Sequence, residues 1–388
     1  MQTGEWCELI NDPHNDSHFG TNGSVMMTSR VSLVIPRLDA KPWGGRKLER
    51  YGLELPAGTS IGEALVTAGE ARIAAGDGAE STLGELVAAG SRERLGELAL
   101  AAVGGRAVFP LLVKLIDAAE NLSIQVHPDD EGAANLDRLG KTEAWHVLAA
   151  EPGAKLYIGL RDDVGLDAFM TDARRLDGSS ARSLRSVDAV PGMTVLIPAG
   201  TIHALGAGVM VYEIQQPSDI TFRLDDWGRV DAAGNPREMH LEQGHKAARE
   251  AYRPVETRPI AIGTEPVSRL LLTACRYFAL ERLHVPSGTG VSFVNGRSPE
   301  VITALSGVAE VSAGQDRLRL EPGASIVIWP GDAPVSLEPE GDCDLLRAWV
   351  PDLMQDIVIP ARTSGADDET IAALGGETDD LRRILATA

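Results

Sequence analysis

Three things are scarce in this sequence. Only three of its 388 residues are cysteine, Cys7, Cys275 and Cys343, scattered and odd in number. That excludes a disulfide framework and a paired-cysteine metal site, and it fits a reducing compartment. Aromatic residues make up 4% of the chain, while 41 Gly and 22 Pro predict many turns between short strands rather than long helices. No apolar run approaches the roughly 18 residues needed to cross a bilayer, and no basic, apolar and cleavable leader opens the chain, so the expected location is cytoplasmic. Positive charge is also short: 36 Lys and Arg stand against 56 Asp and Glu, for a net charge of −20. Nucleic acid and anionic membrane are thereby excluded as partners. An anionic substrate would need a local cluster of Lys and Arg to reverse that field.

What is present is a 44% hydrophobic content, enough for a large core and more than one domain. Within it, LSIQVHPDD (residues 122–130) places Gln125 and His127 two residues apart in an apolar run. On a strand, residues i and i+2 share a face, so this amide and imidazole can converge on one point. Two later stretches offer partners: KTEAWHVL supplies Glu143 and IPAGTIHALG supplies His203. Such a set suits a divalent ion such as zinc. Alternation puts Glu143, Trp145 and Val147 on one face of the KTEAWHVL strand, so His146 points away as a packing residue.

Taken in order, residues 1–29 are polar, lack a hydrophobic period and end near Met26-Met27. They predict a disordered extension upstream of the natural start, whose His14 and His18 belong to a loose tail rather than a metal site. KPWGGRKL (41–48) is a Gly-rich turn. Residues 61–104 predict helices, with Thr82 as a cap and Gly104-Gly105 as the stop. In the apolar run FPLLVKLID, Lys114 is either a site lysine or a lysine at a sheet edge, because a buried ammonium needs a cavity or a carboxylate. Short strands follow to Asp225, then a helix in MHLEQGHKAARE. From Val267 to Val350 another set of strands echoes PGMTVLIPAGTIHAL in its order of strand and Pro-Gly turn. This second set has His284 but no clustered ligands, and a structural or dimerising role is expected of it. Residues 351–388 predict an acidic tail with one amphipathic helix near Asp379 to Ala386.

The stretches KPWGGRKL, FPLLVKLIDA, NLSIQVHPDD, GKTEAWHVL, IPAGTIHALG, EIQQPSDITFRLDDWGR and REMHLEQG follow one another over about residues 40–250. Together they resemble the type I mannose-6-phosphate isomerases, particularly the shorter bacterial form. The resemblance implies two cupin-like β-barrel (double-stranded β-helix) domains in a mainly β chain with helical insertions. The catalytic one would span residues 30–260 and the second 261–350. It implies one zinc on Gln125, His127, Glu143 and His203, a catalytic Arg223, and Lys141 and Ser123 facing a sugar phosphate. The reaction implied is interconversion of mannose 6-phosphate and fructose 6-phosphate through a cis-enediol, with Lys141 and Lys114 supplying local positive field. Lys141, Glu213 or a metal-bound water would carry the proton. The stretch between Glu143 and His203 is too short for the helical domain of the long form, and ALVTAGEARIAAG departs from relatives that usually carry a Trp there. Two other classes compete: a cupin oxygenase holding Fe(II) on His127, Glu143 and His203, and a sugar-phosphate-binding protein without catalysis.

Overall fold

Short strands dominate the computed structural model, which describes residues 29–387 except 75–79, 231–232 and 264. The extension expected over the first 28 residues lies outside the described residues. The strands form four sheets. In the first half, a six-stranded sheet has the order Thr194–Ile197, Glu143–Ala150, Val209–Gln215, Leu112–Ala118, Glu63–Thr67 and Arg37–Asp39. A five-stranded sheet faces it, in the order Leu184–Asp188, Lys155–Leu160, His203–Leu205, Ile124–Val126 and Phe222–Asp225. Every pairing is antiparallel. Ile116, Trp145, Val147 and Val211 from the first sheet interlock with Leu156, Ile158 and Leu205 from the second. The outer face of the five-stranded sheet is covered by Phe169 and Met170 of the helix Leu166–Ala173, which pack on Ile124, Val126, Ala204 and Leu224.

The second half pairs a nine-stranded sheet with a four-stranded one around Leu283, Ile302, Ile326, Val335 and Leu345. The first strand among the described residues, Val31–Ile35, lies inside that nine-stranded sheet, between Ser325–Ile328 and Arg72–Ala74. The two halves also share one core, in which Leu115, Tyr212 and Ile214 meet Leu272, Phe278, Val327 and Trp329. Edges are left on every sheet, so the sheets form packed layers rather than closed barrels.

Two expectations need correction. The helical reading of residues 61–104 holds only from Leu83: Glu63–Thr67 is a strand in the six-stranded sheet, and Arg72–Ala74 and Glu80–Thr82 are short strands that end the nine-stranded sheet. The apolar run in EALVT is too brief for its period to distinguish strand from helix, and pairing with Leu112–Ala118 decided it. Thr82 does cap the helix Leu83–Ala89 in a capping box, exchanging bonds of 3.1 and 2.9 Å with Glu85. The segment after Pro351 has the helix expected near Asp379 to Ala386, at Asp380–Leu385, but it is packed on the sheet rather than a tail. It forms four short helical elements whose Ile357, Val358, Leu374 and Leu381 are buried against Ile260, Leu271 and Trp349. Its acidic face hid an apolar stripe that has a sheet to cover.

Candidate metal centre and substrate cleft

Strand register assembles the site. In the five-stranded sheet Arg223 pairs with Gln125 and Gln125 with His203, so three residues from three separate motifs stand side by side on one face. In the facing sheet the corresponding row is Trp145, Glu213 and Lys114. Lys114 therefore stands on a central strand beside the cleft, not at a sheet edge. The Trp145 indole meets the His203 ring edge-on at 5.4 Å, so the two rows face one another. Between them lies a cleft of about 220 Å³ bordered by Lys114, Ser123, Gln125, Lys141, Glu213 and Arg223.

At its floor, His127, Glu143 and His203 bring one ligand atom each to within 4.8 Å of one another, all three buried. His127 Nδ1 donates to the Ile220 carbonyl at 2.7 Å and His203 Nδ1 to that of Thr201 at 2.8 Å. Each backbone bond fixes the tautomer and turns the Nε2 lone pair inward. His127 Nε2 and His203 Nε2 lie 3.4 and 3.3 Å from the two oxygens of Glu143. Burial, and then the neighbouring Lys141 ammonium, press the His127 pKa down to about 3. Burial lowers that of His203 as well. Burial alone would raise Glu143, but Lys141 first and then the two imidazoles hold it well below the usual carboxylate range.

Lys141 Nζ stands 2.7 Å from Glu143 Oε2 and 3.0 Å from His127 Nε2, on the donors a metal cation would use. Its contact with Glu143 is an ion pair without hydrogen-bond geometry, so both carboxylate oxygens have no hydrogen-bond donor although fully buried. Two inward lone pairs and an unsatisfied buried carboxylate are a donor set that a divalent cation completes. Gln125 is arranged differently. Its amide nitrogen faces His203 Nε2 at 3.3 Å, and its oxygen faces the Ser123 hydroxyl at 3.4 Å.

Around this floor the charges alternate. Lys114 Nζ is 3.7 Å from both Glu63 and Glu213. Burial opposes its charge, but Glu213 and then Glu63 raise its pKa. Glu213 accepts from Trp145 Nε1 at 3.0 Å, its other oxygen has no hydrogen-bond partner, and burial and the nearby Glu143 push its pKa up. Arg223 donates to the Glu238 carbonyl at 2.8 Å, but its buried Nε is unpartnered. Burial and the adjacent Arg237 disfavour its charge. His146 points away from the cleft and bonds Thr194 Oγ1 at 2.9 Å, as strand alternation predicts.

Among the cleft residues that the sequence reading did not single out are Lys41, Trp43, Glu63 and Arg237. A signal existed for the two cations, since a chain of net charge −20 must gather local positive charge for an anionic substrate. Lys41 flanks the KPWGGRKL turn and Arg237 opens REMHLEQG. The turn itself is constrained: a Cβ on Gly44 would lie 2.4 Å from the Gly62 nitrogen, so backbone packs on backbone there. Among the described residues no second cluster of metal-ligating groups occurs, and His284 pairs with Asp344 at 3.4 Å on the surface.

Residues 33–146 match the family described as phosphomannose isomerase type I, catalytic domain. The chain is 30% identical to mannose-6-phosphate isomerase ManA of Bacillus subtilis over 82% of this chain and 98% of that protein. A crystal structure of the Bacillus subtilis mannose 6-phosphate isomerase superimposes with a TM-score of 0.71 at 26% identity, over 82% of this chain and 99% of that one. A zinc-bound holo structure of a mannose 6-phosphate isomerase shares the fold with a TM-score of 0.65 at 19% identity, over 83% of this chain and all of the other.

Proposed function

The chain belongs to the type I mannose-6-phosphate isomerase family, and from that premise we propose that it interconverts mannose 6-phosphate and fructose 6-phosphate at a zinc centre. The observation that carries the proposal is the buried convergence of two inward imidazole nitrogens on a carboxylate without hydrogen-bond donors, opening into a cleft with four cationic side chains besides Lys141.

His127, Glu143 and His203 would hold the ion. Gln125 would join them once its terminal amide is turned over, which exchanges its oxygen and nitrogen without moving the chain. Zinc, when bound, supplies Lewis-acid polarisation of the sugar's C1 and C2 oxygens. The remaining work falls to the protein. Arg223, whose buried Nε has no partner, offers a permanent charge to the enediolate or phosphate oxygens and cannot itself be the base. Arg237, Lys41 and Lys114 reverse the overall negative field locally and seat the phosphate-bearing substrate. Ser123 offers a hydroxyl at the same wall. The proton that moves between C1 and C2 is passed by Lys141 or Glu213, both at the cleft surface. Glu213 holds a proton more tightly than an ordinary carboxyl because burial and Glu143 disfavour its charge.

We read the two pairs of packed sheets as cupin-like domains over residues 30–260 and 261–350, with the strand Val31–Ile35 lent to the second. A homodimer formed through the second domain and a cytoplasmic location belong to the same reading. No helix among the described residues is long and apolar enough to cross a membrane.

The test is zinc content measured together with mannose 6-phosphate isomerisation, before and after chelation and metal restoration. Activity that leaves with the metal and returns with zinc is the expected result. Stoichiometric metal without isomerisation would overturn it and bring forward an Fe(II) oxygenase on the same His127, Glu143 and His203 set.

A further inference from the structure

The segment 140–143 carries two groups of the site, Lys141 and Glu143, yet only its last residue belongs to a strand. The Lys141 amide donates to the Pro128 carbonyl at 3.0 Å, and a further group of hydrogen bonds converges on Asp130. One oxygen of Asp130 accepts from the Gly140 amide at 2.9 Å and from Gln216 Nε2 at 3.0 Å. The oxygen of the same Gln216 side chain accepts from the Thr142 amide at 2.9 Å, and the Gln216 amide donates to the Thr142 carbonyl at 3.0 Å. Gly140 is seated so closely that a Cβ there would lie 2.6 Å from the Asp130 nitrogen.

The second oxygen of Asp130 accepts from the Tyr277 hydroxyl. Tyr277 comes from the other half of the molecule, in the turn between Ser268–Ala274 and Ala279–Val285. Arg276 steadies the same contact: it lies 3.7 Å from Asp130, with its guanidinium 4.6 Å from the centre of the Tyr277 ring. Asp130, Gln216 and Tyr277 do not border the substrate cleft. A purely scaffolding second half would have no need to reach a non-strand segment that carries two site groups.

We propose that the second half takes part in the reaction through Tyr277, which holds Asp130 and thereby positions Lys141 and Glu143. Asp130, Gln216 and Tyr277 are positioning residues. Without the Asp130 carboxylate, the Gly140 amide and Gln216 Nε2 lose their acceptor, and the segment keeps only the bonds at Thr142, the bond from the Lys141 amide to Pro128 and the strand pairing of Glu143. A shift well below 1 Å at Glu143 and Lys141 is enough to misplace both ligand and charge. The kinetic part of this inference rests on the isomerase reading, whereas the structural part does not.

The experiment compares Asp130→Ala, Asp130→Asn and Tyr277→Phe in the full chain by amide hydrogen exchange at residues 140–143, zinc dissociation constant, and kcat and KM. Asp130→Ala is expected to speed exchange at 140–143 by about tenfold or more. Its zinc affinity and kcat are expected to fall by about 10- to 100-fold, the usual range when a group supporting a ligand is removed. KM should stay within about twofold, because the substrate-binding cations are untouched. Tyr277→Phe shifts the same readouts in the same direction by a smaller factor. Asp130→Asn keeps an acceptor for Gly140 and restores most of the loss, which a general folding defect would not show. Wild-type exchange and kcat in Asp130→Ala, a loss confined to KM, or no recovery in Asp130→Asn would each overturn the proposal. If the wild-type protein neither binds zinc nor isomerises the sugar phosphate, the functional reading fails, and the exchange data still decide whether Asp130 and Tyr277 hold the segment.

Discussion

Replacing Glu143 by glutamine separates two roles that one carboxylate plays. In the metal-free protein Glu143 is the countercharge of Lys141, at 2.7 Å, with the two side chains 0% and 5% exposed. Glutamine keeps the shape, so no cavity term enters, but the buried ammonium loses its partner. Stranding one member of a buried pair in this way costs about 3–5 kcal/mol. With zinc the balance changes. A wild-type site gains about 2.7 kcal/mol of stability at a zinc concentration of 100 Kd. Glu143→Gln leaves two neutral imidazoles to hold the ion and should lose most of that gain. Urea unfolding, followed by tryptophan fluorescence with chelator and again with zinc, measures both effects in one protein. The expected outcome is a lower midpoint in chelator and a much reduced zinc-dependent shift, with isomerase activity gone. A variant as stable as wild type in chelator would refute the ion-pair reasoning, and an undiminished zinc shift would refute the ligand assignment.

Two further predictions follow from neighbouring groups. Arg223→Ala should lower kcat by about 100-fold, in the range seen when one donor to a developing charge is removed, while zinc stays bound. Unchanged turnover would take Arg223 out of the reaction. His146 is buried beside Thr194, and burial, then repulsion from Arg282, lower its pKa from 6.5 to about 4. A depressed pKa means the unfolded chain takes up the proton first. The stability contributed is therefore present above about pH 6.5 and lost as pH falls toward 4, to a total of about 3 kcal/mol. His146→Gln should flatten the stability profile over that window, and an unaltered slope would show that His146 does not titrate on unfolding.

How much of this was legible in the sequence depended on the distance over which each feature is decided. Strand geometry is local, so the motif of Gln125 and His127 pointed to the candidate metal centre before any pairing was known. The same local logic sent His146 to the outside. Lys114 could not be placed from its own run, since site and sheet-edge positions look alike until the strands on either side are known. The segment EALVT was misread because three apolar residues suit either helix or strand, and a sheet partner from residues 112–118 made the choice. Of the C-terminal segment only the helix near Asp379 to Ala386 was legible, because Ile357, Val358 and Leu374 find their apolar partners Ile260, Leu271 and Trp349 only in the folded chain.

The sequence by itself determined the chemistry: two histidines, a glutamate and basic residues in motifs of fixed order specify a metal centre for an anionic sugar, whatever the details of packing. Only the tertiary structure decided who stands beside whom. Register set Gln125 between Arg223 and His203, and Glu213 between Trp145 and Lys114. Folding also carried Tyr277 across 147 residues of chain to Asp130. Such contacts leave no periodic trace, because a long-range pair depends on the joint path of two segments and neither segment encodes that path alone.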